Sequence, residues 1–350
     1  MKRTTSPQAS LGDIARAAGV SKATACYVLR NHPGPSQQTR ELVQRVACEL
    51  GYAPDPRITS WMARIRDAGD KELLPVAWLD TNPEKDAWEK YKFYTPYLEG
   101  ARERAAQLGY SVERIWSAEP GMSMRRIAQI VHQRGIEGVV VSHSVSHMRL
   151  NWDSVCAVAL ENSLMAPRLD RVLTDRYFNL LLAFKMVRRF GYRRIGVCLE
   201  ERVDRFSSHG CAAATHYFHA TIPADECVPP LFYKGENDEY RYQTVSTVLS
   251  WLRRERPDVV IGHSNLLQLW VKDAGLRVPG DIGIVHLATD DDVADWAGIH
   301  SNRREIGAAA VERVIAQLQN RQFGIPETAV NLMIRGSWHP GRTLLIPKPG

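Results

Sequence analysis

Three short stretches of apolar residues at helical spacing occupy the first fifty positions of the chain. Gly19 ends the first stretch, and Ser21 and Ser36 are suited to cap the second and third helices. Two short helices joined by a tight glycine-containing turn form a helix-turn-helix. The pattern predicts a three-helix domain over residues 11–53, preceded by a disordered segment over residues 1–10. The apolar faces are Leu11, Ile14, Ala15 and Ala18, then Ala25, Val28 and Leu29, then Leu42, Val43, Val46 and Leu50.

The second predicted helix keeps a polar outer face. Lys22, Ala23, Thr24 and Tyr27 occupy this face. A small helix of this kind fits the major groove of DNA, where side chains read the base edges. We therefore expect the domain to bind double-stranded DNA. The alternative is a three-helix domain that binds protein.

A shorter amphipathic segment follows over residues 54–67. Pro54 and Pro56 prevent the third helix from continuing. Apolar residues then recur at helical spacing, which predicts a short helix. This helix is either a hinge that contacts DNA or a linker packed on the following domain. Its apolar residues are Ile58, Trp61, Met62 and Ile65.

From Pro75 onward, apolar strands alternate with amphipathic helices. This alternation is typical of parallel sheets with helices on both faces. The strands are too numerous for one comfortable sheet, so residues 75–346 are predicted to form two α/β lobes, with a tail over residues 347–350. The strand segments include PVAWLD, EGVVVS, VCAVAL, RRIGVCLE, DVVIGH and IGIVHLA, with NLMIRGSW and TLLIP as closing strands.

The charge of the chain is concentrated at its amino-terminal end. The 350 residues carry a formal net charge of +6. Residues 1–66 contain ten basic and four acidic residues, whereas the remaining residues contain 35 of each. A polyanionic partner explains this asymmetry, and a general need for solubility does not. The distribution favours DNA as the partner of the three-helix domain.

Cysteine spacing and hydropathy indicate the compartment. The six cysteines are scattered, and none lies in a C-x-x-C pair, which argues against a zinc site and a disulfide framework. No apolar run is long enough to span a membrane. The first residues, MKRTTSPQAS, lack the apolar stretch of a secretion signal. We therefore expect a cytoplasmic protein with no membrane partner.

The sequence carries no catalytic signature. It lacks the motifs G-x-S-x-G, G-x-x-x-x-G-K, H-E-x-x-H and G-x-G-x-x-G. His143 and His147 have no third ligand at a suitable spacing, and the run Asp290–Asp292 is typical of a solvated turn. We expect no enzymatic activity, cofactor or metal. The alternative classes are a solute-binding protein and an enzyme on the same lobes, such as a nucleoside-processing hydrolase.

The amino-terminal motifs resemble those of a known family. The signature of LacI/GalR transcription regulators, DIA-x-x-AGVS-x-x-T-x-S-x-VLN, is similar to DIARAAGVSKATACYVLRN. The third helix of that family and the start of its hinge are similar to TRELVQRVACELGYAPD. The resemblance implies a sequence-specific transcriptional regulator, with repression as the default for the family.

The remainder of the chain resembles the same family. The matching segments are FGYRRIGVCLE, GLRVPGDIGIV, EIGAAAVERVIAQLQNR and IPETAVNLMIRGSW. They imply a type I periplasmic-binding-protein fold with a small-molecule effector in the cleft between two lobes. They also imply a homodimer on a pseudo-palindromic operator. No further helix is predicted after Pro347, so we expect none of the tetramerising heptads of some relatives.

The resemblance also implies which residues contact DNA. Thr24 and Thr39 would hold phosphates, and Lys22, Ala23 and Tyr27 would face base edges. The family usually has arginine at the position of Tyr27. Tyrosine cannot make the bidentate contact of arginine to guanine, so we expect a different half-site. The expected DNA-binding residues are Ser21, Lys22, Ala23, Thr24, Tyr27, Asn31, Thr39, Arg57, Trp61 and Met62.

The segment over residues 54–67 corresponds to the hinge helix of the family, which inserts a leucine into the minor groove at the operator centre. Counting from Tyr52, this position falls on Trp61, with Met62 beside it. Apolar side chains kink DNA by partly unstacking one base step. Tryptophan is larger than leucine, so the depth of insertion is open.

Effector-binding residues are expected just after the strands, since ligands of α/β sheets bind beyond the carboxyl ends of the strands. Short amides, carboxylates and an aromatic face suit a carbohydrate. Asp175 matches the family's pocket aspartate, and capping the next helix is an equally supported role. The expected residues are Thr81, Asn82, Trp88, Ser142, Asp175, Arg205, Ser207, Asn265, Ala288 and Ser301. Further candidates are Trp78, Asp80, Tyr94, Tyr97, His143, His263, Ser264, Asp290, Trp296 and Asn302.

Three positions in the expected cleft depart from the family pattern. Ser207 replaces the pocket arginine, His263–Asn265 replaces an Asn-Asp pair after a strand, and Ala288 replaces the pocket aspartate. A cleft without these groups need not bind the common hexoses of the family. The identity of the effector is therefore open, and so is whether an effector response is retained.

Overall fold

The computed structural model of the protein forms two compact units, Met1–Glu72 and Leu73–Gly350. It describes residues 11–29, 35–50, 73–85, 87–142, 147–237, 239, 241–289 and 293–345. The predicted hinge segment and both termini lie outside these ranges.

The described part of the first unit contains three helices, α1 (Leu11–Ala17), α2 (Lys22–Leu29) and α3 (Gln37–Glu49). Gly19 has φ +64° and ends the first helix as predicted. Its buried apolar residues come from all three helices, so the small core closes only when the three pack together. This core consists of Ile14, Ala15, Ala18, Ala25, Val28, Val43, Val46 and Ala47.

Two apolar residues assigned to the inner face of the third helix are in fact exposed. Leu42 and Leu50 are 40% and 42% exposed, whereas Val43 is fully buried. In so small a domain, a 13-residue helix has neighbours on one narrow stripe only. The prediction made that stripe too wide.

The second unit consists of two α/β lobes, each built on one six-stranded sheet. The first sheet has the order β11-β5-β4-β3-β1-β2 with parallel pairing throughout. Its strands are β1 (Leu74–Asp80), β2 (Tyr110–Trp116), β3 (Gly138–Val141), β4 (Cys156–Leu160), β5 (Asp170–Thr174) and β11 (Asn331–Ile334). The intervening helices are α4 (Ala87–Lys90), α5 (Thr95–Gln107) and α6 (Met124–Gln133).

The second sheet has the order β12-β10-β9-β8-β6-β7, and only β12 runs antiparallel to its neighbour. Its strands are β6 (Ile195–Glu200), β7 (Leu231–Tyr233), β8 (Val259–Gly262), β9 (Gly283–His286), β10 (Gly298–His300) and β12 (Ser337–His339). The helices of this part are α7 (Arg176–Arg189), α8 (Glu201–Phe206), α9 (Gly210–His219), α10 (Arg241–Glu255) and α11 (Leu267–Asp273).

One late helix, α12 (Arg303–Gln319), returns to the first lobe. Its buried residues Ile306, Ala310 and Val314 pack with Val76 and Val140 of the first sheet. The chain thus crosses between the described sheets after β5, after β10 and after β11. The carboxyl ends of β5 and β10 lead directly into two of these crossings, so the strand ends of both lobes face the cleft between them.

The crossing segments are hydrogen-bonded to one another. The Asp175 amide donates to the Ile334 carbonyl at 2.9 Å. The Asn302 side-chain amide donates to the Arg335 carbonyl at 2.8 Å. Asp175 Oδ2 and Arg335 Nε are 3.5 Å apart. These contacts join the three crossings into one hinge for the two lobes.

Four details of the predicted strand pattern were wrong. The predicted strand NLMIRGSW is divided into β11 of the first sheet and β12 of the second. Residues 343–345 of the predicted strand TLLIP form a turn, because the Thr343 hydroxyl donates to the Ile284 carbonyl and accepts from the Ala297 amide. The remaining two are the strands β5 and β10, which were not predicted. Among the described residues, no helix has the length and apolar character needed to cross a membrane.

Candidate functional site

The outer face of α2 is built by the capping of the helix and by its apolar stripe. Ala25 and Val28 are fully buried, which turns the opposite face outward. Ser21 and Lys22 are exposed, and Tyr27 is 51% exposed. This arrangement presents polar groups on one side of the helix, as a DNA-reading helix requires.

A serine–threonine pair begins each of the second and third helices. Ser21 Oγ accepts from the Thr24 amide at 3.0 Å and lies 2.9 Å from Thr24 Oγ1. Ser36 Oγ accepts from the Thr39 amide at 3.3 Å and lies 2.8 Å from Thr39 Oγ1. Both predicted caps are confirmed. Each serine also fixes the hydroxyl of a threonine expected to hold phosphate.

Several of the expected DNA-binding residues fall outside this description. Asn31, Arg57, Trp61 and Met62 lie outside the described residues, and for Ala23 only the helical backbone is described. Their roles stay predictions.

In the first lobe, three expected effector residues meet at the ends of β1 and β3. Thr81 Oγ1 lies 3.5 Å from the Ser142 carbonyl oxygen. The Asn82 amide donates to Asp80 Oδ1 at 3.0 Å, and the Asn82 carbonyl accepts from the Trp116 indole at 2.8 Å. These residues therefore lie close together just beyond the strand ends, where the position of ligand sites in α/β sheets predicted them.

The loop after β1 rests on an ion pair that the sequence analysis did not anticipate. Asp80 is 1% exposed and accepts from Arg114 Nε at 2.9 Å and Nη2 at 2.6 Å. A buried carboxylate needs such a partner, because an isolated buried charge is costly. The pair fixes the strand end from which Asn82 extends.

Two more expected residues lie at the lobe crossings. Asp175 Oδ1 accepts from the Phe178 amide at 3.0 Å, so its capping role is confirmed, and its contact with effector stays a prediction. Ser301 is buried, with its hydroxyl 3.5 Å from the Leu287 carbonyl.

Other expected effector residues are engaged elsewhere. The Ser207 hydroxyl donates to the Asp204 carbonyl at 2.7 Å and accepts from the Cys211 amide at 3.2 Å, so it serves the start of α9. Ala288 is buried. Arg205 and Asn265 are exposed, and Asn265 borders a surface pocket beside Trp296.

The aromatic candidates divide between the core and the cleft. Trp78 is fully buried in the first-lobe core, and Trp296 is 5% exposed, so the proposal of an open aromatic face from these two was wrong. Both fill space between sheet and helices, where large rings contribute the most apolar area. The Trp88 side chain, His143 and Asp290 lie outside the described residues. Tyr94 and Tyr97 remain as the described aromatic candidates near the crossings.

A group of basic residues that the sequence analysis largely missed surrounds the crossings. Arg176 and Arg303 are the first residues of α7 and α12, directly after two crossings. Arg202 follows β6, and His263 follows β8. We call these four residues the basic cluster. The rule that ligands bind beyond strand ends selected His263. It would have found Arg176 and Arg303 had it been extended to the first residue of each following helix, whereas Arg202 is the second residue of α8.

Stacking and hydrogen bonds fix part of the basic cluster. The Arg303 guanidinium lies 5.6 Å from the Phe93 ring centroid and 5.9 Å from that of Tyr97. Tyr97 donates to Glu161 Oε1 at 3.1 Å, and Glu161 Oε2 lies 3.9 Å from Arg176 Nη2. Tyr97 therefore links the Arg303 guanidinium, over its ring, to the buried carboxylate beside Arg176.

His263 experiences the charge of the whole cluster. Its ring stacks on the His286 ring, with centroids 5.5 Å apart. Burial lowers the pKa of His263 well below its usual value, and Arg176, His286, Arg303 and Arg202 lower it further. His263 is therefore held as a neutral imidazole in a positive field.

Two family models match this chain. The model for bacterial regulatory proteins of the lacI family matches residues 10–55. A model for the periplasmic binding protein-like domain matches residues 184–338. The chain thus combines a DNA-binding domain of the lacI family with a periplasmic-binding-protein-like domain. The resemblance inferred from its motifs is thereby confirmed.

Curated relatives match nearly the whole length of this chain. The HTH-type transcriptional regulator KdgR of Bacillus subtilis is 22% identical over 349 residues, which cover 94% of this chain and 96% of the relative. The HTH-type transcriptional repressor CytR of Escherichia coli K12 is 25% identical over 353 residues, with the same coverage of both chains. These relatives are transcriptional regulators rather than enzymes.

Solved structures share the fold. A complex of the transcriptional regulator CelR with cellobiose superposes with a TM-score of 0.55 at 18% identity, covering 96% of this chain and 99% of the other. The Lac repressor dimer bound to operator and the anti-inducer ONPF gives 0.54 at 18% identity with the same coverage. The predicted fold class is confirmed. The match of residues 10–55 to lacI-family regulatory proteins, with curated transcriptional regulators over nearly the whole chain, supports a DNA-binding transcriptional regulator.

Proposed function

We propose that this protein is a sequence-specific repressor that binds a pseudo-palindromic operator as a homodimer. A small carbohydrate or carbohydrate derivative in the cleft between the lobes controls it. The observation that carries the proposal is the exposed polar face of α2, which lies within residues 1–66, the segment that holds the chain's whole charge excess. Repressor names among the relatives, CytR and the ribose operon repressor of Haemophilus influenzae, support the sign of regulation.

The α2 face would provide the contacts to each half-site. Ser21, Thr24 and Thr39 lie at helix N-termini, where hydroxyls and backbone amides suit phosphate oxygens. Lys22 and Tyr27 would face base edges. The half-site would lack the contact that arginine makes to guanine, because tyrosine has a single hydroxyl donor in place of a fork.

The hinge segment over residues 54–67 would connect this contact to the lobes. Trp61, with Met62 beside it and Arg57 on the backbone, would insert into the minor groove at the operator centre. Replacing Trp61 with glycine should weaken operator binding more than binding to random duplex. Equal weakening of both across a salt series would refute the insertion.

Effector control would act through the three lobe crossings. A ligand bound between the lobes favours one degree of closure over the other, and this difference in affinity sets the population of the DNA-binding state. The hydrogen-bonded crossings at Asp175, Asn302 and Arg335 would transmit closure. The sugars named with related structures, cellobiose and ribose, support a carbohydrate-like ligand.

The test is selection of bound sequences from random duplex DNA with purified full-length protein. We expect a palindromic consensus. A matched pair of variants assigns the reading residue: Tyr27→Ala should change the consensus, whereas Tyr217→Ala, at a similarly exposed tyrosine of the second unit, should not. Recovery of unenriched DNA, with and without candidate sugars, would overturn the proposal.

A further inference from the structure

The two lobes touch across the cleft at a point separate from the three crossings. The Asn162 side-chain amide donates to the Phe206 carbonyl at 2.8 Å. Asn162 lies between β4 and β5 of the first sheet, and Phe206 is the last residue of α8, which follows β6 of the second sheet. In that sheet β6 lies three strands from β10, the strand that leads into a crossing. The contact therefore joins the lobes directly and is not part of the hinge.

Arg171 fixes the orientation of the Asn162 amide. Arg171 Nη1 donates to Asn162 Oδ1 at 2.9 Å, and Arg171 Nη2 donates to the Leu164 carbonyl at 2.7 Å. A guanidinium only donates hydrogen bonds, so the amide turns its oxygen toward Arg171 and its NH2 group toward the second lobe. A backbone carbonyl only accepts, so the NH2 group is also the end that Phe206 requires. A carboxylate in place of this amide would suit Arg171 alone.

The carbonyl on the second lobe is held by a well-anchored turn. It lies at the carboxyl end of α8, where helix carbonyls lack an intrahelical partner. Asp204, which is 6% exposed, fixes the turn that follows. Its Oδ2 lies 2.8 Å from His209 Nδ1, and its Oδ1 accepts from the Ala212 amide at 2.9 Å. The Phe206 carbonyl therefore has a defined position on the second lobe.

Backbone strain is concentrated on both sides of this contact. Six described residues other than glycine have positive φ, and three of them are Glu161, Ser208 and His209, at +55°, +53° and +63°. Glu161 directly precedes Asn162, and the other two follow Phe206 within three residues. Such conformations are uncommon for residues other than glycine and persist only where the surrounding contacts hold them. Strain on both sides of one contact points to a functional role for it.

We propose that the hydrogen bond between Asn162 and Phe206 is a latch that sets the balance between closed and open lobes. Opening about the crossings separates the two groups, so the hydrogen bond stabilises the closed arrangement alone. A ligand in the cleft acts on the same equilibrium, and the latch determines how large a difference in affinity it needs to shift the population. The latch concerns the lobes, whereas its effect on DNA rests on the proposed function.

The experiment measures the distance between the lobes in the full-length protein by double electron–electron resonance. Spin labels are attached at Glu119→Cys and Lys234→Cys, two exposed positions beyond β2 and β7. These edge strands lie at the opposite end of each sheet from β11 and β12, which flank the hinge, so opening changes this distance strongly. Cys26, Cys48 and Cys227 are replaced by serine in every sample, so that the labels react at the introduced positions.

Two variants remove the latch, and a third is the matched control. Asn162→Asp keeps the acceptor for Arg171 and replaces the NH2 donor with an oxygen that faces the Phe206 carbonyl. Losing one hydrogen bond should raise the ratio of open to closed molecules about fivefold in Asn162→Ala, and oxygen–oxygen repulsion should raise it further in Asn162→Asp. The control is Asn320→Asp. Asn320 Nδ2 donates to the Ala316 carbonyl at 2.8 Å at the end of α12, so the same kind of bond is lost within one lobe and the distance should not change.

Two results would overturn the latch. They are an unchanged distance distribution in the Asn162 variants, with folding verified by circular dichroism, and an equal change in Asn320→Asp. Where Asn162→Asp does not fold, Asn162→Ala decides alone. Operator affinity of the same variants tests the link to DNA separately. A changed distance with wild-type operator affinity supports the latch and refutes control of DNA binding by lobe closure, whereas wild-type protein without sequence-selective DNA binding refutes the proposed function alone.

Discussion

The pair Ser21 and Thr24 allows the stability of α2 to be separated from its contact with DNA. Ser21 caps the helix through the Thr24 amide, while the Thr24 hydroxyl is the group expected on a phosphate. Ser21→Ala removes the cap. Thr24→Val removes the hydroxyl and leaves the capped amide in place. The two changes should therefore affect different measurements.

The magnitudes follow from the contacts. Loss of an N-cap side chain costs about 1 kcal/mol of stability. A hydrogen bond to a charged group is worth about 1.5–3 kcal/mol, so losing the phosphate contact should lower operator affinity by roughly ten- to a hundredfold per half-site. Ser21→Ala should thus lower the free energy of unfolding of the first unit, whereas Thr24→Val should mainly lower operator affinity.

The assay combines fluorescence anisotropy on a labelled selected operator with urea denaturation of each variant. Thr247→Val, at an exposed threonine of α10, is the control and should alter neither quantity appreciably. The reasoning is refuted if Thr24→Val binds operator as wild type does. It is also refuted if Thr24→Val loses no more operator-binding free energy than it loses free energy of unfolding.

Three further predictions concern the lobes. Burial and nearby arginines lower the pKa of His263, so below about pH 6.5 the unfolded chain gains a proton that the folded chain does not. The free energy of unfolding should fall by up to about 1.4 kcal/mol for each unit by which pH is lowered below that value. His263→Asn should make this fall smaller in urea titrations, and a fall of unchanged size contradicts the prediction. Gly307→Ala would place Cβ 1.8 Å from a backbone oxygen of α5 and should cost more than about 3 kcal/mol by denaturation, whereas the open Gly280→Ala should cost under about 1 kcal/mol; equal costs contradict it. Arg114→Met removes the guanidinium that pairs with the buried Asp80 carboxylate and should cost about 3 kcal/mol by denaturation; a loss below about 1 kcal/mol contradicts it.

Strand β5 was not predicted, and the reason is physical. Strand β5 begins with Asp170, a residue that local propensity disfavours in a strand. Its carboxylate is buried because Arg313, Gln317 and the Val330 amide, all distant in sequence, donate to it. A local pattern contains none of these partners, so it could not indicate that the aspartate belongs inside a sheet.

In the candidate site, too, some residues were predictable from the sequence and others were not. Thr81, Asn82 and Ser142 were predictable, because parallel strands share one carboxyl edge and residues just past it must meet. The prediction that Ser207 and Trp78 face the effector was wrong, because sequence position does not show whether a side chain faces the cleft, a helix start or the core. The structure assigns Ser207 to the start of α9 and Trp78 to the core.

The sequence by itself determined the helix-turn-helix, the two α/β lobes and the family. Helical spacing, capping serines and strand–helix alternation are local signals, and the family motifs are contiguous. Only the tertiary structure decided the basic cluster. Arg176, Arg202, His263 and Arg303 follow different strands and are brought together by the lobe crossings. Electrostatic interactions depend on distances in space, and the order of residues along the chain does not give these distances.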